Sequence, residues 1–145
     1  MLAEEIDFHQ MFRLHPTVMA LMTADMEIVD ANDEFLECTG RTLEQCEGRN
    51  FFALAPKMPP DPGGDPKWTV MEAAMTSGER EVHRLTRYDV EVPGSPGVFT
   101  ERYWSAVVRP VRCGNGDVEV LELSAREVTP VIRDFRALEA GADHT

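Results

Sequence analysis

Arg84 and a set of wide, soft side chains are the residues of this chain best equipped for chemistry. Trp68, Met71, Met75, Tyr88 and Trp104 combine flat rings with flexible thioethers, which suits a small-molecule pocket and equally suits plain packing between a helix and a sheet. Strand alternation run back from Tyr88 puts Arg84 on the apolar face, where an unpaired charge is costly. There it meets an acidic ligand or a buried carboxylate, unless a bulge near Leu85 turns it outward. His83 has the right chemistry for a pH switch, but an exposed strand position is the expectation. His9, His15 and His144 are scattered without metal-ligand spacing, and Ser105 and Ser124 lack a local base motif. Cys38, Cys46 and Cys113 form no paired motif and read as reduced, partly buried thiols. The acidic pairs Glu4-Glu5 and Asp33-Glu34 fall at helix starts, where the helix dipole accounts for them. No phosphate loop or nucleophile elbow is present. Nothing assembles into an active site, so a non-enzyme is expected.

The elements that must position these side chains follow from local signals. Glu4 to Leu14 is a short amphipathic segment that Pro16 stops. Two apolar runs between Val18 and Ala31 flank Ala24-Asp25-Met26-Glu27 and predict a tight strand pair. Asn32 is an N-cap for a helix that ends at Gly40, and Thr42 to Gln45 has capping-box spacing for a second helix closed by Gly48. The proline-rich stretch from Pro56 to Gly64 is a surface loop. Asp65-Pro66 then opens a helix through Trp68, Met71, Ala74 and Met75 to Gly78.

From Glu81 the period becomes two, which predicts three long antiparallel strands. The first runs through Val92, the second covers Phe99 to Val111, and the third covers Val118 to Val128. Asn115-Gly116 is the hairpin signal between the last two. Pro130 breaks the last strand before an exit helix over Val131 to Ala140. The second long strand is apolar on both faces, with Tyr103, Val107 and Val111 opposed to Trp104, Ala106 and Val108, so both faces need cover. The order of elements predicts an antiparallel α+β fold with flanking helices at both ends.

Length and charge narrow the function. The 145 residues fit one domain, with 1–15 as an N-terminal amphipathic helix, 16–130 as the domain body and 131–145 as the exit helix and tail. With 14 basic against 26 acidic residues the net charge is -12, which argues against nucleic-acid or anionic-membrane binding. The acidic start Met1-Leu2-Ala3-Glu4-Glu5 does not read as a signal peptide and points to a cytoplasmic protein.

Six segments in order carry a family resemblance: Phe12 to Pro16, Ile28 to Asn32, Thr39 to Thr42, Glu47 to Asn50, Glu101 to Ser105 and Arg126 to Thr129. Together they resemble the PAS family, in particular modules upstream of histidine kinase or phosphatase domains in bacterial sensors. The resemblance implies a five-stranded antiparallel sheet with short helices over one face, enclosing a cavity. Its candidate lining is Phe35, Phe52, Trp68, Met71, Met75, Arg84, Tyr88 and Trp104. It also implies that Glu127, Val128 and Thr129 couple the sheet to the exit helix, with Glu127 where an aspartate is usual.

Cofactor chemistry reads weakly through this resemblance. The flavin-binding light sensors need a cysteine after the Gly48-Arg49-Asn50 match, and Phe51 stands there. Haem-binding members commonly use a histidine from the long helix. The matching helix offers Trp68, Met71 and Met75 instead, which argues against haem and leaves methionine ligation open.

The expected function is a sensory or signalling module that binds a small ligand or a protein partner and transmits a change through its C-terminal helix. The expected partners are a second copy of the chain and a kinase or phosphatase effector. The chain is then a stand-alone protein or the sensor part of a longer one. A ligand-free interaction domain and a small cone-shaped isomerase or cyclase are the alternatives. The enzyme would need buried acid/base residues facing the cavity.

Overall fold

The structure, a computed structural model, describes residues 1–55, 69–114 and 116–142. Trp68, the proline-rich loop, the Asp65-Pro66 helix start and Asn115 of the hairpin signal lie outside the described residues.

Helix α1 (Phe8–Leu14) follows a 3-10 turn at Ala3–Glu5, and Asp7 caps it by accepting from the Gln10 N–H. Strands β1 (Val18–Thr23) and β2 (Ile28–Ala31) form the expected hairpin, with Met26 at a φ of 65° in the turn. Asn32 caps α2 (Asp33–Thr39), and Gly40 ends it in the left-handed region at a φ of 65°, where a residue without Cβ has no steric penalty. Thr42 and Gln45 make the reciprocal capping box of α3 (Leu43–Cys46). A 3-10 turn at Phe51–Leu54 comes next, and α4 (Thr69–Ser77) precedes the remaining strands.

Those strands are β3 (Glu81–Arg87), β4 (Val90–Glu91), β5 (Phe99–Thr100), β6 (Tyr103–Arg112) and β7 (Val118–Glu127). Five of the seven make one antiparallel sheet in the order β2-β1-β7-β6-β3, which is the expected fold class. The first two of the three long strands are not continuous, however. The outer ends of the first two break away from the sheet at Tyr88-Asp89 and Glu101-Arg102 and pair separately as the β4–β5 ribbon. The cause is Asp89, which is buried. Its carboxylate accepts from the Arg87 guanidinium at 3.0 Å twice and from the Arg102 N–H at 3.3 Å, drawing the chain out of the ladder.

Alternation decides which residues reach the core. Ala20 and Met22 of β1, Leu121 and Leu123 of β7, and Trp104 and Val108 of β6 point to one side and are buried under α2, α4 and the 3-10 turn. The exit helix α5 (Thr129–Ala142) starts two residues before the expected Val131. Pro130 sits in its first turn, where a missing N–H is harmless, so the proline begins the helix rather than only ending the strand. No described helix is long and apolar enough to cross a membrane.

Candidate functional site

A cavity of about 60 Å³ lies between the sheet and the helices that cover it. Its floor is Trp104, Ala106 and Val108 of β6 with Leu123 and Ala125 of β7. Phe35, Cys38 and Thr39 of α2 form one wall, and Val70 and Met71 of α4 form another. The rim toward β3 and β4 is His83, Thr86, Tyr88 and Val90, and the rings of Phe51 and Phe52 close the remaining side.

Aromatic packing fixes that last wall. Phe51 lies stacked against Tyr88, with centroids 4.6 Å apart and planes at 21°, and it meets Phe52 edge-on at 5.1 Å. The Tyr88 hydroxyl donates to the Phe51 carbonyl at 2.5 Å, and the Tyr88 carbonyl accepts from Trp104 Nε1 at 2.9 Å. Burial pushes the Tyr88 phenol well above the ordinary tyrosine value, against a smaller opposing influence of the Arg41 charge. Burial likewise raises the Cys38 thiol, so it stays neutral rather than acting as a thiolate nucleophile. No Asp, Glu, Lys or Arg is among the described lining residues, and His83, Cys38 and Tyr88 are the titratable side chains on those walls. Among the described residues no cluster of His, Cys, Asp or Glu is arranged to hold a metal.

The structure brings five of the eight candidate lining residues together: Phe35, Phe52, Met71, Tyr88 and Trp104. Met75 packs against the core without reaching the cavity. Trp68 lies outside the described residues.

Arg84 is not a lining residue, and the alternative of a bulge near Leu85 is the one the strand register shows. His83 faces Ala106 and Thr86 faces Trp104, so Arg84 and Leu85 together stand opposite the single residue between those partners. That bulge inverts the strand's faces, leaving Arg84 exposed and directing His83 to the cavity. The expectation of an exposed His83 is overturned with it.

Phe51, Cys38 and Thr39 were missed as lining. The signal for Phe51 was in hand, since the position after Gly48-Arg49-Asn50 was read only for lacking a cysteine.

The second candidate region is the junction between β7 and α5. Glu127 pairs with Arg102 at 2.6 Å, both about two-thirds screened from solvent. Thr129 is buried and accepts from the Tyr103 N–H at 2.9 Å, while the Val128 N–H donates to the Tyr103 carbonyl at 2.8 Å. Farther along α5, Arg136 lies over the Tyr103 ring and donates to its hydroxyl at 3.0 Å. Strand β6 therefore carries the cavity floor on one face and the helix attachment on the other.

This arrangement of sheet, roof and exit helix coincides with a known family. The family described as PAS fold matches residues 12–133. The chain belongs to the PAS family.

No curated protein matches the sequence of this PAS domain. Among solved structures, an RNA-binding light-oxygen-voltage receptor superposes with a TM-score of 0.69 at 21% identity, over 94% of this chain and 36% of that one. The PAS domain of nitrogen regulation protein NR(II) from Vibrio parahaemolyticus gives 0.63 at 11% identity, over 82% and 95%. A sensory box sensor histidine kinase from Vibrio cholerae gives 0.54 at 19% identity, over 84% and 88%. The PAS domain thus spans about a third of the first of these chains and most of the other two. The fold and the sensory-module class expected from the sequence agree with this family.

The cofactors weighed from the sequence do not fit these walls. The adduct position holds the phenyl ring of Phe51, packed on Tyr88, and a cavity of about 60 Å³ has no room for a flavin or a porphyrin. Ligand pockets usually offer about 300 Å³ or more.

Proposed function

We propose that this PAS domain is a non-catalytic sensory module whose input is a small, neutral, largely apolar molecule and whose output leaves through α5. One observation carries the reading: an aromatic-lined cavity with no carboxylate, lysine or arginine on its described walls rests on the same strand that bonds the first turn of the exit helix. Arg84 is exposed, so the acidic ligand it suggested has no partner on the described walls. At about 60 Å³ the space is well below the volume of usual ligand pockets, so entry requires a wall ring to move. The same small volume favours a second reading, a ligand-free interaction domain.

Two measurements separate these readings. Native mass spectrometry of protein purified from its own host should retain a small neutral molecule. Nuclear magnetic resonance titration with indole and with benzoate should shift Met71 and Trp104 resonances with indole only. Protein that is repeatedly empty and indifferent to both probes points to the scaffold instead. Equal binding of benzoate removes the neutral-ligand proposal.

The proposed partners are a second copy of the chain and an effector of the histidine kinase or phosphatase class. The similarity to a protein named as a sensor histidine kinase supports that effector class. The dimer draws support from the outward apolar sides of α1 and α5, where Phe8, Met11, Phe135 and Leu138 are exposed.

A further inference from the structure

We propose that Tyr88 is the positioning residue through which the cavity governs the exit helix, an inference that rests on the sensory reading above. Tyr88 is the first residue beyond β3, at the point where the chain leaves the main sheet. Each of its three polar groups ties a different part of the fold. The hydroxyl holds the Phe51 carbonyl, the backbone carbonyl holds Trp104 Nε1, and the backbone N–H donates to the Arg102 carbonyl at 3.0 Å. Arg102 is the residue whose guanidinium pairs with Glu127, and its neighbour Tyr103 bonds both Val128 and Thr129 through the backbone. Arg102 and Tyr103 therefore connect this wall of the cavity to the first turn of α5.

This line has the property a switch needs, which is two discrete arrangements. A ligand that enters the narrow cavity must displace part of its wall, and the Phe51–Tyr88 stack is a part of that wall held by a directional bond. Ring displacement breaks the hydroxyl-to-carbonyl bond outright, because a hydrogen bond weakens steeply with angle and distance. The Phe51 carbonyl and the phenol then lose their shared partner, so intermediate positions are disfavoured and the ring is either docked or released. Release also loosens the Tyr88 backbone, whose two bonds lead to Trp104 and Arg102.

The test uses the ligand-free full chain and hydrogen-exchange mass spectrometry. Tyr88→Phe keeps the ring stack and removes only the hydroxyl bond. It should speed exchange both at residues 51–55 and in the first two turns of α5, by roughly threefold or more. Asn50→Ala is the control. Asn50 caps the 3-10 turn by accepting from the Phe52 N–H at 2.9 Å and donates to the Asp25 carbonyl at 3.2 Å, with no hydrogen bond to Tyr88 among the described residues, so it should speed exchange at 51–55 and not in α5.

Trp104→Phe removes the indole N–H and should reproduce the α5 effect if Tyr88→Phe proves too unstable to measure. The relay is overturned if both variants leave α5 at the wild-type rate, or if Asn50→Ala accelerates α5 equally. Neither outcome bears on whether the cavity takes a ligand, and an empty cavity leaves this measurement unaffected.

Discussion

Asn32 is fully buried, and its amide head makes four hydrogen bonds to four different residues. Oδ1 accepts from the Met19 and Phe35 N–H groups at 3.0 Å each, while Nδ2 donates to the His15 and Thr17 carbonyls at 3.2 and 2.7 Å. One side chain thus caps α2 and fixes the start of β1 against the end of β2. Asn32→Ala leaves these backbone groups without partners in a dry site and should cost about 3 kcal/mol, read by urea unfolding. A loss below about 1 kcal/mol would mean that water replaces the amide.

Tyr88 gives a pH prediction. Below the ordinary tyrosine value of 10.0 the phenol is neutral in folded and unfolded chains alike. Above it the unfolded chain ionises first, because burial holds the folded phenol at a higher value. Stability therefore falls as pH rises past 10, by up to about 1.4 kcal/mol per pH unit from this group. In Tyr103→Phe the phenolate absorbance belongs to Tyr88 alone, since the chain has 2 tyrosines. That absorbance should rise together with loss of the circular-dichroism signal, and ionisation in a still-folded protein would refute the assignment. At this scale Asn32 was legible because capping is local chemistry between a side chain and the next turn. For Arg84 the sequence left two readings open, the apolar face or a bulge near Leu85, because one extra residue in a strand exchanges its faces and leaves no mark in composition. The inward turn of His83 follows from the same bulge.

Helix ends and strand breaks divide in the same way. Gly40 and the Thr42 capping box were readable, as was the alternation that sets the sheet. The break between β3 and β4 was not. Tyr88, Val90 and Val92 keep the strand period across it, and the break depends on Arg102, 13 residues from Asp89 in sequence. Position 40 also has a long-range role: a Cβ there would come within 3.0 Å of Pro93 Cγ, so the β4–β5 ribbon folds directly onto the end of α2. The Arg41–Glu91 pair at 2.8 Å reinforces that contact.

Gly48 has a similar φ of 78° and open space around it, which makes it a reference. Gly48→Ala should cost about 1 kcal/mol for the left-handed conformation alone, and Gly40→Ala more, by the push against Pro93. Equal losses would show that the ribbon yields freely. At the other end of the domain, Thr129→Val keeps the shape of the side chain and orphans the Tyr103 N–H. It should lower stability by about 1–2 kcal/mol and speed amide exchange in the first turn of α5. An unchanged first turn would remove Thr129 from the junction.

Two forces of opposite sign act on the molecule as a whole. The net charge of -12 drives copies apart, while the flanking helices carry apolar residues that no described residue covers. On α1 the exposures are 59% for Phe8, 57% for Met11 and 64% for Leu14, and on α5 they are 64% for Val131, 59% for Phe135 and 74% for Leu138. The side of α1 that meets its own domain holds Phe12, the half-buried residue of the helix, beside His9 with Asp30 at 2.9 Å and Arg13 with Asp33 at 3.6 Å. Phe8, Met11 and Leu14 leave a second apolar side of α1 open, which the proposed second copy of the chain would cover. If association is apolar contact working against repulsion, salt must strengthen it, because screening weakens the repulsion and leaves apolar burial intact. Multi-angle light scattering should show the dimer fraction rising as ionic strength goes from about 0.05 to 0.5 M. Removal of residues 1–15 should give monomer throughout that range. A dimer that dissociates with added salt would instead be held by ion pairs, and a truncated chain that stays dimeric would move the interface away from α1.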